Sequence, residues 1–249
     1  MSSDIKRKVV LITGAGSGIG RATAIKLHVL GAILAITDRD IFGTQETYRL
    51  CGGKPHYWGV LDVTNKDDIS IRIAEIVSRF EHIDHVFNCA GINPTTYALT
   101  DTSDEYFDSL MNVNVKGVYN ITKETILYMA KGVGSYVNVS SICGLRPKNG
   151  FAIYCATKYA IIGFSKSMAL ELGPMGIRTN VVAPGYIDTP TNAAVVEGQE
   201  AVKAMVDATS LGRMGTAEEV ADVVVFLMSK EARYMNGSVV EIDGGIKLI

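Results

Sequence analysis

The sequence predicts an α/β protein: a doubly wound parallel β-sheet of about seven strands with helices on both faces, forming a single domain over residues 1–249. Three observations lead to this fold class. Short apolar, β-branched runs alternate with longer segments of helical periodicity along the whole chain. A glycine-rich turn joins the first run to the first helical segment, and polar or turn-forming residues follow the later runs. No linker or internal repeat divides the chain.

The composition is that of an ordinary globular protein and argues against several classes of partner. Hydrophobic residues make up 47% of the chain, charged residues make up 20%, and the formal net charge is −2. Nucleic-acid-binding proteins usually carry a basic patch, so we expect no nucleic-acid partner. No apolar run approaches the roughly 18 residues of a membrane-spanning helix. We therefore expect a cytoplasmic protein without membrane association.

The cysteines show neither a disulfide framework nor a metal-binding pattern. They are scattered, without a Cys-x-x-Cys pair or nearby histidine spacing, at Cys51, Cys89, Cys143 and Cys155. This distribution is typical of reduced thiols in an intracellular protein, and it predicts no metal site.

The first βαβ unit carries an anion-binding turn. Residues 8–12 are predicted as a buried strand, residues 21–30 as a helix, and residues 32–37 as the second strand. Between the first two elements stands the glycine-rich stretch 13–20. Free N–H groups and the dipole at a helix N-terminus favour a phosphate there, and glycines allow the close approach.

Asp38, at the end of the second predicted strand, indicates which cofactor binds. A carboxylate about 20 residues past the glycines can accept hydrogen bonds from the ribose hydroxyls of NAD and repels the 2′-phosphate of NADP. Arg39 follows directly and would favour that phosphate. We weigh Asp38 more heavily and expect NAD, with NADP as the less favoured alternative.

The alternation continues to the end of the chain. Further strands are predicted at residues 56–61, 84–88, 135–139, 177–182 and 237–242, and further helices at 66–80, 102–131 (one helix or two), 160–172 and 216–229. Ligands of parallel sheets bind beyond the carboxyl ends of the strands. Polar or turn residues that follow the strands therefore point to one crevice.

Tyr154 and Lys158 open the long apolar helical segment. Residues four apart lie on one face of a helix, so the phenol and the ammonium project together. A nearby cation favours the phenolate and lowers the tyrosine pKa, which suits proton exchange with an alcohol. Such a pair also occurs by chance on solvated helix faces, so it needs support from the rest of the chain.

With these features together, the chain resembles the short-chain dehydrogenase/reductase family over essentially its whole length. The motifs that carry the resemblance are the turn T-G-x-x-x-G-I-G (13–20), Asp62-Val63, Asn88-x-Ala90-Gly91, Asn112-Val113-Asn114, Asn138-Val139-Ser140-Ser141, Tyr154-x-x-x-Lys158 and Pro184-Gly185-x-Ile187-x-Thr189. One departure is Cys89, where the family usually has a second asparagine. We expect little functional loss from it, although a thiol beside the cofactor would add sensitivity to alkylation.

The resemblance implies a Rossmann fold and a set of site residues. As catalytic residues it implies Ser141 (with Ser140 as the competing candidate), Tyr154, Lys158 and Asn114. Lys158 would hold the nicotinamide ribose and lower the Tyr154 pKa, and Asn114 would bend its helix and support a proton relay. Together with Asp38, Arg39, Tyr154 and Lys158, the implied cofactor-binding residues are Gly14, Ser17, Gly18, Ile19, Gly20, Asp62, Val63, Asn88, Ala90, Gly91, Pro184, Gly185, Ile187 and Thr189.

The expected reaction is hydride transfer between the nicotinamide cofactor and a secondary alcohol or ketone. The substrate walls should come from residues 93–97, 142–151 and a variable loop at about 186–212, in which residues 192–199 look like a mobile lid. Their apolar and aromatic content favours an uncharged, fairly hydrophobic small molecule, with Arg146 and Lys148 in a solvated loop. A non-redox isomerase, dehydratase or cyclase that retains the cofactor, and a catalytically silent sensor, are the alternatives. The resemblance also implies a homotetramer or homodimer.

Overall fold

The computed structural model describes residues 4–93, 95–193 and 198–246, except for the side chains of residues 191 and 193. Its strands are β1 (Val9–Thr13), β2 (Ile33–Asp38), β3 (Tyr57–Val60), β4 (His85–Asn88), β5 (Ser135–Val139), β6 (Arg178–Pro184), β7 (Ile187–Asp188), β8 (Gly215–Thr216) and β9 (Val239–Ile242). Seven of them form one parallel sheet in the spatial order β3-β2-β1-β4-β5-β6-β9, and β7 and β8 form a separate two-stranded sheet. The predicted seven-stranded parallel sheet is confirmed.

Nine α-helices connect the strands within the described residues. They are α1 (Gly18–Val29), α2 (Ile41–Leu50), α3 (Lys66–Phe80), α4 (Asp104–Met111), α5 (Gly117–Thr125), α6 (Ala152–Leu172), α7 (Pro190–Ala193), α8 (Gln199–Ala208) and α9 (Ala217–Met228). Shorter 3-10 turns cover Leu99–Asp101, Ile126–Tyr128, Ile142–Gly144, Gly173–Met175 and Lys230–Ala232.

The sheet separates two hydrophobic cores, as a doubly wound fold requires. On one face α1 and α9 pack together over the sheet, with Leu27 and Val224 fully buried. On the other face α3, α5 and α6 contribute Ile73, Ile121 and Leu172 to the second core. Because both faces are covered, the strands read as continuous apolar runs, and β1 is buried throughout.

Three helices, α2, α7 and α8, were not predicted from the sequence. Helix α2 is short and mostly polar, and its buried residues are Gly43, Thr44 and Thr47, so it lacks the apolar periodicity that marks a helix. Asp40 caps it by accepting a hydrogen bond from the Phe42 N–H at 3.0 Å. Helix α8 begins at the end of the segment predicted as a lid, residues 192–199, of which residues 194–197 lie outside the described residues.

The long segment 102–131 forms two helices joined by one π-helical turn, Asn112–Lys116. A π turn inserts one residue into the helical repeat and turns side chains to directions that a regular α-helix does not reach. The resemblance implied a bend at Asn114, and this residue lies within the π turn with 1% of its surface exposed.

The strand order reverses beside β1, which pairs with β2 on one side and β4 on the other. At the carboxyl edge, Thr13 lies next to Thr37 of β2 and Asn88 of β4. The connections that leave β1 and β4 diverge to opposite faces and open a crevice there.

Two further properties concern the described residues only. None of their helices combines the length and apolar character that a membrane crossing needs. No cluster of three or more His, Cys, Asp or Glu side chains among them is arranged to hold a metal ion.

Candidate active site

A cavity of about 920 Å³ occupies the crevice at the carboxyl edge of the sheet. The predicted site residues that line it are Gly14, Ser17, Gly18, Ile19, Gly20, Asp38, Arg39, Ala90, Gly91, Ser141, Tyr154, Lys158, Pro184, Gly185, Ile187 and Thr189. The fold thus brings most of the predicted cofactor and catalytic residues to one place. A second cavity of about 590 Å³, at the opposite edge, contains none of them.

Four predicted site residues lie behind the cavity wall instead of lining it. Asn88 is buried inside the sheet, where its amide donates to Asn138 Oδ1 at 2.9 Å. The Asp62 carboxylate accepts hydrogen bonds from the backbone and hydroxyl of Thr64, both at 2.8 Å. Val63 is buried against α5, and Asn114 is buried in the π turn.

The glycine turn before α1 has the shape and polarity that a dinucleotide pyrophosphate needs. Gly14 has a left-handed φ of 68°, and a Cβ there would lie 2.7 Å from the Ala90 backbone nitrogen. Ser17 is the N-cap of α1 but makes no side-chain capping bond, and the first turn holds no acidic residue. The positive end of α1 is therefore directed at the cavity without a competing carboxylate, and the residues fit the cofactor.

Asp38 lies at the far end of the cavity from Tyr154 and is held by two backbone donors. Its Oδ2 accepts from the Gly16 N–H and its Oδ1 from the Asp40 N–H, both at 2.9 Å. Arg39 is exposed next to it. The carboxylate therefore has a fixed orientation, and both candidates for the recognition of the adenosine ribose face one end of the cavity.

The side chains of Ser141, Tyr154 and Lys158 converge at the other end. Ser141 follows β5, and its hydroxyl accepts a hydrogen bond from the Cys143 N–H at 3.2 Å. Tyr154 and Lys158 project from the first turns of α6, 9% and 6% exposed. The Lys158 ammonium lies 5.5 Å from the centre of the Tyr154 ring and donates to the Val139 carbonyl at 3.2 Å.

The pKa of the Tyr154 hydroxyl is raised above its ordinary value of 10.0, chiefly by burial, although a hydrogen bond from Ser141 partly lowers it. This direction is opposite to the lowering expected from the sequence. The reason is positional: the Lys158 ammonium lies over the ring and bonds to a carbonyl, whereas burial removes water from the hydroxyl. Burial also lowers the pKa of Lys158 to about 8.

Asn114 connects the π turn to the segment after β4. Its Oδ1 accepts from the Ile92 N–H at 2.8 Å and its Nδ2 donates to the Ile92 carbonyl at 3.0 Å. A Cβ on Gly91 would lie 3.2 Å from Asn114 Oδ1 and 3.7 Å from Lys158 Nζ. Gly91 therefore keeps the space between Asn114 and Lys158 open.

Comparison with known proteins decides the family. The family model described as "Enoyl-(Acyl carrier protein) reductase" matches residues 14–247. The 3-oxoacyl-(acyl-carrier-protein) reductase of Thermotoga maritima is 39% identical over 245 residues, 97% of this chain and 98% of that protein. The chain belongs to the short-chain dehydrogenase/reductase family.

Solved structures agree with this assignment. Levodione reductase superposes with a TM-score of 0.91 at 34% identity, covering 96% of this chain and 97% of that one. A short-chain dehydrogenase from Burkholderia cenocepacia, solved in complex with NADP, superposes with a TM-score of 0.89 at 30% identity, covering 97% and 98%. The protein is an NAD(P)-dependent oxidoreductase that transfers a hydride at alcohol or ketone groups.

The substrate half of this short-chain dehydrogenase is walled mainly by apolar side chains. Those that line the cavity here include Ile92, Cys143, Leu145, Pro147, Phe151, Tyr186, Met205 and Ile246. Tyr97, which the sequence placed in this wall, lies outside it and packs edge-to-face against Tyr106 at 5.2 Å. Val195 and Val196 lie outside the described residues.

Two polar contacts fix the rim of the substrate half. Asn93 donates to Asn192 Oδ1 at 2.7 Å, and Asn192 in turn donates to the Ile187 carbonyl at 2.6 Å. Arg146, which the sequence placed in a solvated loop, pairs with Glu241 at 2.7 Å and Asp243 at 3.1 Å. These two ion pairs connect the 142–151 segment to β9 and the residue that follows it.

The thiols near the site are protonated and packed. Cys89 lines the cavity, and burial raises its pKa to about 12. Because the thiolate is the reactive form, this pKa argues against the alkylation sensitivity expected from the sequence. Burial likewise raises the pKa of Cys143 to about 11, and Cys155 is buried.

The sequence missed several lining residues, for a common reason. Val139 contributes a backbone carbonyl, Ile246 reaches the cavity from the C-terminal segment, and Asp40 lines the adenosine end. Every residue has a backbone carbonyl, so the sequence does not indicate which one contributes, and Ile246 is distant in sequence from the motifs. Only Asp40, directly after the Asp38-Arg39 pair, had a usable signal.

Proposed function

We propose that the enzyme transfers a hydride between NAD and a secondary alcohol or ketone with an apolar body, with Tyr154 as the proton donor or acceptor. The observation that carries the proposal is the convergence of Ser141, Tyr154 and Lys158 on one wall of a cavity that begins at the glycine turn. The apolar wall around them favours a substrate that is uncharged and hydrophobic near its reacting carbon.

Each of the four catalytic candidates has a separate role in this proposal. When bound, the nicotinamide supplies the hydride acceptor or donor. In alcohol oxidation Tyr154 takes the hydroxyl proton as the carbon loses its hydride, and in ketone reduction it returns a proton to the oxygen. Ser141 donates a hydrogen bond to the same oxygen and stabilises its developing charge. Lys158 binds the ribose, and Asn114 positions the backbone beside it.

The cofactor-binding residues divide by position. We assign the pyrophosphate to Gly14 and residues 17–20, and the adenosine end to Asp38. We assign the nicotinamide end to Pro184, Gly185, Ile187 and Thr189. Ala90 and Gly91 would contact the cofactor directly, whereas Asp62, Val63 and Asn88 would act by supporting the wall, because they do not line the cavity.

The role of Tyr154 is tested by Tyr154→Phe, with Tyr234→Phe, at a fully exposed tyrosine, as the matched control. We expect turnover to fall by about 10²–10⁴-fold in the first variant and to be unchanged in the second. Tyr154→Phe with near-full activity would remove Tyr154 from the mechanism. Product formation without a net change in reduced-nicotinamide absorbance would favour the non-redox alternative.

We propose NAD as the preferred cofactor, because the Asp38 carboxylate is held at the adenosine end by two N–H groups. A fixed negative charge there repels a 2′-phosphate. Titration with NADH and NADPH should show NADH binding about tenfold or more tightly. Preference for NADPH would mean that Arg39 outweighs Asp38. The similar protein from Burkholderia cenocepacia was solved in complex with NADP.

The protonation state of Tyr154 favours ketone reduction at neutral pH. Because burial raises its pKa, the hydroxyl retains its proton and is ready to donate it. The reduction rate should therefore stay level through neutral pH and fall only in alkaline solution, whereas the oxidation rate should rise with pH. Initial rates in both directions across the pH range test this, and an oxidation rate that is already level at neutral pH would contradict it.

We also propose a homotetramer or homodimer that buries the apolar surface of α5 and α6. Leu127, just after α5, is 84% exposed, and Leu170 on α6 is 80% exposed. Large apolar side chains that remain exposed on a monomer can mark a protein interface. Light scattering at micromolar concentration should give a multiple of 26.8 kDa, and Leu170→Lys should lower the mass. A wild-type monomer would refute the proposal.

We further propose a role for the variable loop and a cellular location for the protein. We assign substrate specificity to the variable loop at about 186–212, which contributes Tyr186 and Met205 to the cavity, within a single catalytic domain. We also propose a cytoplasmic location, because all four cysteines are free thiols. Cell fractionation with the untagged protein tests the location.

A further inference from the structure

Lys148 is a charged residue that the proposed mechanism does not use. Its ammonium lies 5.0 Å from the centre of the Phe151 ring and 5.5 Å from that of Tyr186, and it lines the substrate half of the cavity. Ring faces attract a cation at such distances, but they do not neutralise its charge. Lys148 is exposed, as the sequence predicted, and its contacts with the two rings place its positive charge at the edge of the cavity.

The surrounding charges leave this ammonium uncompensated. Arg146, the neighbouring cation, is already paired with Glu241 and Asp243. Lys148 forms no ion pair with any other residue among 4–93, 95–193 and 198–246. In this described part of the chain, two carboxylates line the cavity, those of Asp38 and Asp40, and both lie at the adenosine end. The substrate half thus combines apolar walls with one unpaired positive charge.

Lys148 is also connected to the reacting centre through a short series of aromatic contacts. Phe151, which contacts the ammonium, packs edge-to-face against Tyr154 with ring centres 6.3 Å apart. A substrate that places its carbonyl at Tyr154 and runs along the Phe151 ring would bring its other end to Lys148. The intervening surface is apolar, so it suits a hydrocarbon segment.

We propose that the substrate carries a carboxylate at the end remote from its reacting carbon, and that Lys148 binds this carboxylate and sets the enzyme's substrate preference. This inference rests on the proposed function and adds to it a binding role for Lys148, which the sequence placed in a solvated loop. A single ammonium matches a single negative charge, which favours a carboxylate over a doubly charged phosphate. The preferred substrates are therefore oxo acids and hydroxy acids with an apolar segment between the two functional groups.

The test compares oxo acids of increasing chain length with their methyl esters, which keep the ketone and lose the charge. Binding to the enzyme with reduced cofactor is measured by calorimetry, and turnover by cofactor absorbance. The variants are Lys148→Met, Lys148→Arg and, as a matched exposed control that precedes β5 and does not line the cavity, Lys131→Met. A hydrogen bond to a charged group contributes enough for a tenfold or larger preference.

We expect the wild-type enzyme to bind at least one acid about tenfold more tightly than its ester. Lys148→Met should abolish this preference while ester binding stays the same, Lys148→Arg should retain most of it, and Lys131→Met should retain all of it. Acids that bind no better than esters at every chain length, including no binding of either series, would overturn the inference. An unchanged preference in Lys148→Met would overturn it as well.

The same data separate this inference from the proposed function. Reduction of the esters by the wild-type enzyme without preference for acids would refute the role of Lys148 and leave hydride transfer at ketones standing. Binding of acids through Lys148 without any turnover would support the charge recognition and count against the proposed reaction.

Discussion

Lys158→Met should make the protein more stable while it abolishes activity. Lys158 is buried, and burial lowers its pKa from 10.5 to about 8. At about 1.4 kcal/mol per pKa unit, the folded state loses about 3 kcal/mol by keeping this ammonium charged at neutral pH. Methionine has similar volume and no charge. After the loss of the bond to the Val139 carbonyl, we expect a net gain of about 1–2 kcal/mol.

The pH dependence gives this prediction a sharper form. Above pH 8 the folded wild-type protein releases the Lys158 proton while the unfolded chain retains it up to about 10.5, so wild-type stability rises across this window. The advantage of Lys158→Met should therefore be largest below pH 8 and should shrink as the pH approaches 10.5. Groups other than Lys158 titrate alike in both proteins, so their effect drops out when the free energy of unfolding of the wild type is subtracted from that of the variant.

Urea unfolding at a fixed protein concentration, followed by circular dichroism at several pH values, measures the difference. Lys131→Met, at an exposed lysine, should show no pH-dependent difference from the wild type. Destabilisation by Lys158→Met at every pH, or a difference that does not change between pH 8 and 10.5, would refute the reasoning.

Three further predictions follow from the structure. Gly14→Ala should weaken cofactor binding about tenfold or more and destabilise the protein by about 1–3 kcal/mol, because the left-handed backbone and the Ala90 nitrogen leave no room for a Cβ. Gly163→Ala, on an open helix surface, is the control. Equal cofactor affinities of the Gly14→Ala variant and the wild type in a binding titration would contradict this expectation. Burial lowers the pKa of His85 from 6.5 to about 4, so the free energy of unfolding should decline by up to about 3 kcal/mol as the pH falls from 6.5 to 4. Urea unfolding of His85→Asn should show a shallower decline with pH than the wild type. An equal decline in both proteins would exclude His85 as its source. Asn114→Ala removes the hydrogen-bond partner of the Ile92 N–H and carbonyl, so we expect the free energy of unfolding to fall by about 1–3 kcal/mol and turnover to fall at least tenfold. Steady-state kinetics that match the wild type would show that Asn114 has no functional role.

The sequence was sufficient for the sheet, because the signals involved are local. Strand β1, the glycine turn and α1 follow one another within about 20 residues, and each has its own periodicity or turn chemistry. Most of the predicted site residues also line the cavity, since parallel strands end at one edge. Helix α2 was missed because its buried residues are small and polar, and close packing of Gly43 against the glycine turn replaces an apolar stripe.

What the sequence did not predict depends on contacts between distant segments. The pairing of Arg146 with Asp243 joins residues 97 positions apart, and no local pattern indicates it. The direction of the Tyr154 pKa shift depends on how completely the surrounding loops bury the hydroxyl. Asn88 has the expected position at a strand end, but its amide is directed into the sheet toward Asn138, a choice that packing makes.

The two hydrogen bonds of Asp38 have a consequence for engineering the coenzyme preference. The carboxylate that is proposed to select NAD also holds the Gly16 N–H and so supports the phosphate-binding turn. Exchanging it for a residue without an acceptor, such as alanine, to admit NADP would remove the repulsion and loosen that turn in a single step. A redesigned enzyme therefore needs to keep an acceptor for the Gly16 N–H, and the amide oxygen of an asparagine at position 38 supplies one without the negative charge.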